Sequence, residues 1–274
     1  MTRQELVHQI KTKKSFLCIG LDTDINKIPE HLRSQPDAIL QFNKAIIDAT
    51  KDLCVSYKIN TAFYEVLGSK GWDIMEQTVH YIPSTHFKIA DAKRADIGNT
   101  SSYYAKAFFE TLPFDAITVA PYMGEDSIRP FLEYENKWTI ILGLTSNEGS
   151  KDFEMLTIKN EKANFLYEQV LQTASKWGNE NNVMFVVGAT KSEEFKSIRK
   201  ILPNHFLLVP GIGAQGGNLK DVAQAGLNKE CGLLVNASRA IIYAGNGIDF
   251  AAQASMAAEE YRNEMKTYLD SINE

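Results

Sequence analysis

The stretch HFKIADAKRAD, residues 86–96, decides how the rest of the chain is read. Phe87, Ile89 and Ala90 have the apolar character of a buried strand, yet that strand runs out into Asp91, Lys93 and then Asp96. On a strand, positions i and i+2 share a face, so Asp91 and Lys93 project together, in line with Phe87 and Ile89. Lys88 then faces the other way, where a salt bridge beneath a helix is expected. An apolar strand that ends in ions costs several kcal/mol of desolvation unless the ions are paired. Such an end is either a structural ion-pair network or a site that needs a perturbed lysine.

Outward from this stretch the same design repeats. Upstream lie FLCIGLD (16–22) and SYKIN (56–60). Downstream come AITVAPYM (116–123), TIILGLTS (139–146), NVMFVVGAT (182–190), HFLLVPGIG (205–213) and CGLLVNASR (231–239). Each is a near-continuous apolar run of strand length, as expected for strands covered on both faces in a parallel sheet. Between them are helical patterns. Residues 36–53 space Ile39, Phe42, Ile46 and Ala49 by three and four, and residues 160–177 do the same with Ala163, Leu166, Val170 and Ala174. Ser192, with Glu194 and an apolar pattern behind it, predicts another helix start.

Eight strands alternating with helices predict an α/β fold, a (β/α)8 TIM barrel. A doubly wound open sheet is the competitor, because local pattern does not show closure; the strand count favours the barrel. No Pro/Gly/Ser-rich linker or charge block divides the 274 residues, so residues 1–274 are expected to form one barrel domain. Met1–Ser15 is expected to be a helical extension outside the barrel, with Thr2 and Glu5 spaced for a capping box. A closing helix over 249–271 carries an alanine-rich face suited to tight packing.

In a barrel enzyme, chemistry sits at the C-terminal ends of the strands. Polar residues collect there: Asp22 on the first strand, Lys58 on the second, Asp91 and Lys93 on the third with Asp96 beyond. Thr145 and Ser146 end the fifth and Arg239 the eighth. After the seventh strand comes PGIGAQGG (210–217), whose glycines, Gly213 and Gly216 among them, allow close backbone approach to an anion. Loops seven and eight commonly bind phosphate in barrels, and Arg239 supplies the planar cationic fork that phosphate favours.

The remaining residues narrow the function classes. The five histidines show no metal-ligand spacing, and His86 and His205 fall at strand starts, so no catalytic histidine is expected. Cys18, Cys54 and Cys231 form neither a disulfide framework nor a zinc pattern. Trp72, Trp138 and Trp177 are expected to cover barrel seams. The polar loop 147–159 is either a surface excursion or a mobile lid. A net charge of −5 argues against nucleic acid as a partner. With no apolar run long enough for a membrane span and no signal-peptide pattern, a soluble cytoplasmic protein is expected.

Taken together, GLD (20–22), SYKIN, FKIADAKRADIGNT (87–100), TSN (145–147), PGIGAQGG and NASR (236–239) resemble the orotidine 5′-phosphate decarboxylase family over nearly the whole chain. DAKRADIGNT, TSN and PGIGAQGG are most similar to its longer, mycobacterial-type bacterial branch. The resemblance implies decarboxylation of orotidine 5′-monophosphate to UMP and CO2, the last step of de novo pyrimidine nucleotide synthesis, with no metal or organic cofactor. It implies a homodimer with shared active sites. Lys93 would donate the proton to C6, Asp91 would sit beside the departing carboxylate, and Asp96 would reach into the neighbouring subunit's site. Asp22 and Lys58 would contact the ribose and complete the charge network, with Thr100 as a ribose contact from the partner loop. Ser146, or its neighbour Thr145, would read the pyrimidine edge, and Gln215 and Arg239 would grip the phosphate.

DxKxxD alone also occurs in sugar-phosphate enzymes of the same barrel group, so a metal-dependent sugar-phosphate decarboxylase or synthase is the main rival, one that EDTA would inhibit. A Schiff-base aldolase using Lys93 or Lys58 would be trapped by borohydride. A nucleotide-binding regulator would bind UMP without turnover.

Overall fold

The computed structural model describes residues 1–159, 163–213 and 216–272, apart from the side chain of residue 192. Eight parallel strands close into a barrel in sequence order: β1 (Leu17–Gly20), β2 (Ser56–Asn60), β3 (Phe87–Arg94), β4 (Ala116–Val119), β5 (Trp138–Leu144), β6 (Val183–Val187), β7 (Phe206–Pro210) and β8 (Leu233–Ala237). Pairing of β1 with β8 settles closure against the open-sheet alternative. Helices Ala38–Thr50, Ser69–Tyr81, Gly98–Lys106, Glu125–Leu132, Leu166–Ala174, Phe195–Ile201, Leu219–Gly226 and Phe250–Ile272 pack outside. β1, β4, β6 and β8 are buried at every position, which is why they read as apolar runs interrupted only by Thr118 in β4 and Asn236 in β8.

Aromatic rings from alternate strands fill the barrel floor. Trp138 meets Phe87 edge-on at 5.8 Å between centroids and Phe206 at 6.2 Å. Trp138 is thus inside the barrel rather than over a seam, because it opens β5 on the inward face; its Nε1 donates to the Met1 carbonyl at 2.9 Å. The helix Arg3–Lys13 closes this end, begun by the Thr2–Glu5 capping box and burying Leu6, Val7 and Ile10. Lys13 fastens its far end, donating to the carbonyls of Lys51 and Cys54 and sharing a 2.8 Å hydrogen bond with His86. Lys88 lies beside Asp115, which accepts its backbone N–H and pairs with the Met1 amino group.

Two helix starts differ from expectation. The helix expected from residue 160 begins at Leu166, because the carboxylate of Glu168 accepts the N–H groups of Asn164 and Phe165 and caps it there. Upstream, Thr157 makes an antiparallel bridge with Phe165. After β6 a 3-10 turn spans Ala189–Glu194, so the α-helix starts at Phe195 rather than behind Ser192. Ala254 and Ala258 of the closing helix are fully buried, whereas Ala252 is exposed. Among the described residues, no helix is long and apolar enough to cross a membrane.

Candidate active site at the barrel mouth

A cavity of about 330 Å³ opens at the C-terminal ends of the strands. Its two walls differ in kind. On one stand Asp22, Lys58, Asp91, Lys93, Thr118 and Asn236; on the other stand Leu142, Val186 and Leu208. The walls differ because the inward positions of β3, β4 and β8 change from apolar to polar near the rim and those of β2 (Ser56, Lys58, Asn60) are polar throughout, while those of β5, β6 and β7 stay apolar. Few polar groups converging on an apolar wall is the usual build of a small-molecule site.

Lys58 is the centre of the charged wall. Its side chain is 4% exposed, and its ammonium donates to Asp91 Oδ2 at 3.1 Å and to Asp22 Oδ1 at 3.4 Å. Burial alone would lower the Lys58 pKa, but Asp22 and Asp91 outweigh it and the net shift is upward. Burial pushes the Asp91 carboxyl up, but Lys58 and Lys93 more than offset it and hold that group well below the ordinary carboxylate range. Asp91 Oδ1 also accepts from Lys93 Nζ at 2.5 Å. Asp91 is therefore an anion shared by two ammonium groups, and Lys93 is the outer, half-exposed one.

Asp96 and Thr100 do not join this cluster. Asp96 Oδ1 accepts the Ile97 N–H at 2.8 Å, and Thr100 is exposed in the first turn of helix Gly98–Lys106. Exposed apolar side chains include Ile97 and Tyr103 on the same segment, Val66 after β2, and Tyr122 and Met123 after β4.

At the end of β5, Thr145, Ser146 and Asn147 line the cavity. The Glu154 carboxylate accepts the Thr145 N–H at 2.7 Å and its hydroxyl at 2.8 Å, tying the loop after β5 to the rim. Gly188 lets Ser146 sit against the end of β6, since a Cβ there would come within 2.7 Å of Ser146. Across the mouth, Gly211, Ile212, Ser238 and Arg239 line the cavity. Gly213 and Gly216 have φ of +74° and +85°, and the Gly216 N–H bonds the Gly213 carbonyl. Gln215 lies outside the described residues.

Sequence reading missed Thr118, Asn236 and Glu154. A threonine within an apolar strand reads as a strand former. Asn236 lies in the quoted NASR segment, three positions before Arg239, and that was the available signal.

Such a cavity, with paired lysines and carboxylates on one wall and the Arg239 cation and Gly211 on its rim, defines a (β/α)8-barrel enzyme with its chemistry at the C-terminal rim. The chain belongs to the orotidine 5′-phosphate decarboxylase / HUMPS family, whose model matches residues 15–254. It is 56% identical to orotidine 5′-phosphate decarboxylase from Bacteroides fragilis over 99% of this chain and 100% of that one. To the Flavobacterium johnsoniae orotidine 5′-phosphate decarboxylase it is 59% identical over 99% of both chains. The solved structure of Leishmania donovani UMP synthase superposes with a TM-score of 0.83 at 36% identity, over 97% of this chain but 57% of that longer one.

Proposed function

We propose that the cavity takes orotidine 5′-monophosphate and releases UMP and CO2, with Lys93 as proton donor. Membership of the family and full-length relatives of the same name support the overall reaction. The observation that carries the residue assignment is Asp91 held as an anion between Lys58 and Lys93. Breaking the bond from C6 to its carboxylate leaves the electron pair on an sp2 ring carbon with no resonance acceptor. Fixed positive charge beside that carbon is then the stabilising element, and Lys93 supplies both the field and the proton that ends on C6. Asp91 repels the substrate carboxylate but not the departing CO2, so the site favours the later state over the ground state.

The other wall fits the same reading. Leu142, Val186 and Leu208 offer an apolar, water-poor surface to the pyrimidine face, where electrostatic effects are stronger. In this reading Asp22 and Lys58 contact the ribose. Ser146, which lines the cavity at the end of β5, reads the base edge. Arg239 holds the phosphate with Gln215, Gly213 and Gly216, and its charge-assisted contact is worth about 1.5–3 kcal/mol.

Asp96 and Thr100 act in the site of a second copy of the chain. Their position outside this chain's cavity, on a segment that also exposes Ile97 and Tyr103, supports a homodimer with shared sites. The space between the Asp22 and Asp91 carboxylates is taken by the Lys58 ammonium, which supports metal-free chemistry over the sugar-phosphate alternative. The test is UMP formation from orotidine 5′-monophosphate by the purified protein in excess EDTA. Sustained turnover is expected; no turnover, with Mg²⁺-dependent activity on a keto-sugar phosphate, would overturn the reading.

A further inference from the structure

β3 and β4 fall out of step at the site. Between the pairs Ala90–Ile117 and Arg94–Val119, Asp91, Ala92 and Lys93 stand opposite Thr118 alone. Lys93 takes up the extra length with φ of +48°, a left-handed conformation that is costly for a residue with a side chain. Its N–H is thereby turned from the regular ladder and donates to Thr118 Oγ1 at 2.9 Å. A backbone N–H only donates, so the threonine oxygen accepts there and its single hydrogen is free for another acceptor. That acceptor is Asp91 Oδ1, at 3.1 Å, the same oxygen that receives Lys93 Nζ at 2.5 Å. A closed ring results: Lys93 backbone to Thr118, Thr118 to Asp91, and Asp91 back to the Lys93 ammonium.

Packing does not ask for this hydroxyl. Thr118 is 1% exposed, and valine has nearly the same shape and suits a strand at least as well. A buried hydroxyl is retained without penalty only where its hydrogen bonds are made, and here both run to the two residues assigned to the chemistry.

We propose that Thr118 is a positioning residue: its hydroxyl fixes the strained Lys93 backbone and the Asp91 carboxylate in the one relative orientation that aims Lys93 Nζ at C6. This role rests on the decarboxylase reading above. Asp91 keeps Lys58 as a second anchor, so loss of the hydroxyl moves chiefly Lys93.

The experiment compares Thr118→Val and Thr118→Ser with wild type in three measurements: decarboxylation kinetics, UMP affinity by calorimetry, and exchange of the UMP C6 hydrogen in D2O. In the exchange, Lys93 as free amine takes the C6 proton, the C–H pair remains on C6, and the same nitrogen returns a deuteron. For Thr118→Val, kcat and the exchange rate are expected to fall together by about 100-fold, the scale of a misplacement near 1 Å, with UMP affinity unchanged. Thr118→Ser, which restores the hydroxyl, should recover most of both rates. A Thr118→Val enzyme with wild-type kcat overturns the proposal. So does a Thr118→Ser enzyme as slow as the valine variant, or a rate loss that only tracks lost UMP affinity and melting temperature. Wild-type protein that neither decarboxylates orotidine 5′-monophosphate nor exchanges UMP would instead overturn the underlying function, and the role with it.

Discussion

The Lys58 ammonium stands 3.1 Å from Asp91 Oδ2, on a side chain that is 4% exposed. Because Lys58 also faces Asp22, it is the positive centre that lets two carboxylates share the barrel mouth. Removing one partner of a buried pair costs more than the pair itself contributes, since the remaining charge is left without compensation. Lys58→Met is expected to lower the unfolding free energy by about 3–5 kcal/mol, measured by urea denaturation at pH 7. The shifts of the pair have opposite signs at opposite ends of the pH scale. Asp91 is depressed, so its stabilisation is present above the unfolded pKa of about 3.9 and is lost as pH falls below it. Lys58 is raised, so its share is present below about 10.4 and is lost as pH climbs beyond it. Identical urea midpoints for variant and wild type would show that the pair adds nothing to the fold.

The opposite end of the barrel predicts a different pH dependence. Burial holds the imidazoles of His86 and His205 down at about 4, and both nitrogens of His205 lack a hydrogen-bond partner among the described residues. A base whose folded pKa is depressed binds its proton more readily when unfolded, so stability falls as pH drops from about 6.5 toward the folded value. His205 packs edge-on to Phe185 at 5.7 Å, a contact that phenylalanine would keep. His205→Phe is expected to be as stable as wild type or more so at pH 7, with a flatter decline between pH 6.5 and 4. Thermal unfolding across that range measures it; an unchanged slope would place the titration elsewhere.

How much of this was legible in the sequence follows from how local each cause is. The strand ends bearing Asp22, Lys58, Asp91 and Lys93 are legible because charge interrupting an apolar run is a property of a few adjacent residues. Thr118 is not, because its partners are chosen by the slip between β3 and β4, which pairs residues 25 positions or more apart. Trp138 misleads for the same reason: whether the first residue of β5 points in or out depends on register with its neighbours. The helix expected from residue 160 fails for a local cause that resembles its opposite. Its 3.6-residue pattern continues through Ala163, but the Glu168 carboxylate, which would read as an ordinary helical residue, caps the helix at Leu166. Gln215 is assigned from motif alone.

Lys93 should separate catalysis from binding. Its side chain is half exposed and contributes little to burial, so Lys93→Ala is expected to fold. Loss of a positioned proton donor removes about 10²–10⁴-fold in rate, and more where the same group stabilises the carbanion. UMP affinity should stay close to wild type, because the phosphate and base contacts assigned to Arg239 and Ser146 are untouched. UMP release from orotidine 5′-monophosphate and UMP calorimetry together decide it. Retained turnover would remove Lys93 from the donor role.

Asp96 tests the sharing of sites between subunits. Within one chain its carboxylate bonds the neighbouring Ile97 N–H and takes no part in lining the cavity, so Asp96→Ala should leave that chain's own Lys58–Asp91–Lys93 cluster intact. Homodimers of Asp96→Ala and of Lys93→Ala are each expected to be inactive, since every site lacks one of the two groups. In a mixed dimer, one of the two sites receives an intact Lys93 from the first chain and an intact Asp96 from the second. Mixing the variants should therefore return up to about half of wild-type activity per heterodimer, read as kcat after separation of differently tagged chains. Heterodimers verified by mass and still inactive would place Asp96 outside the shared site. Activity in the Asp96→Ala homodimer would remove it from the reaction altogether.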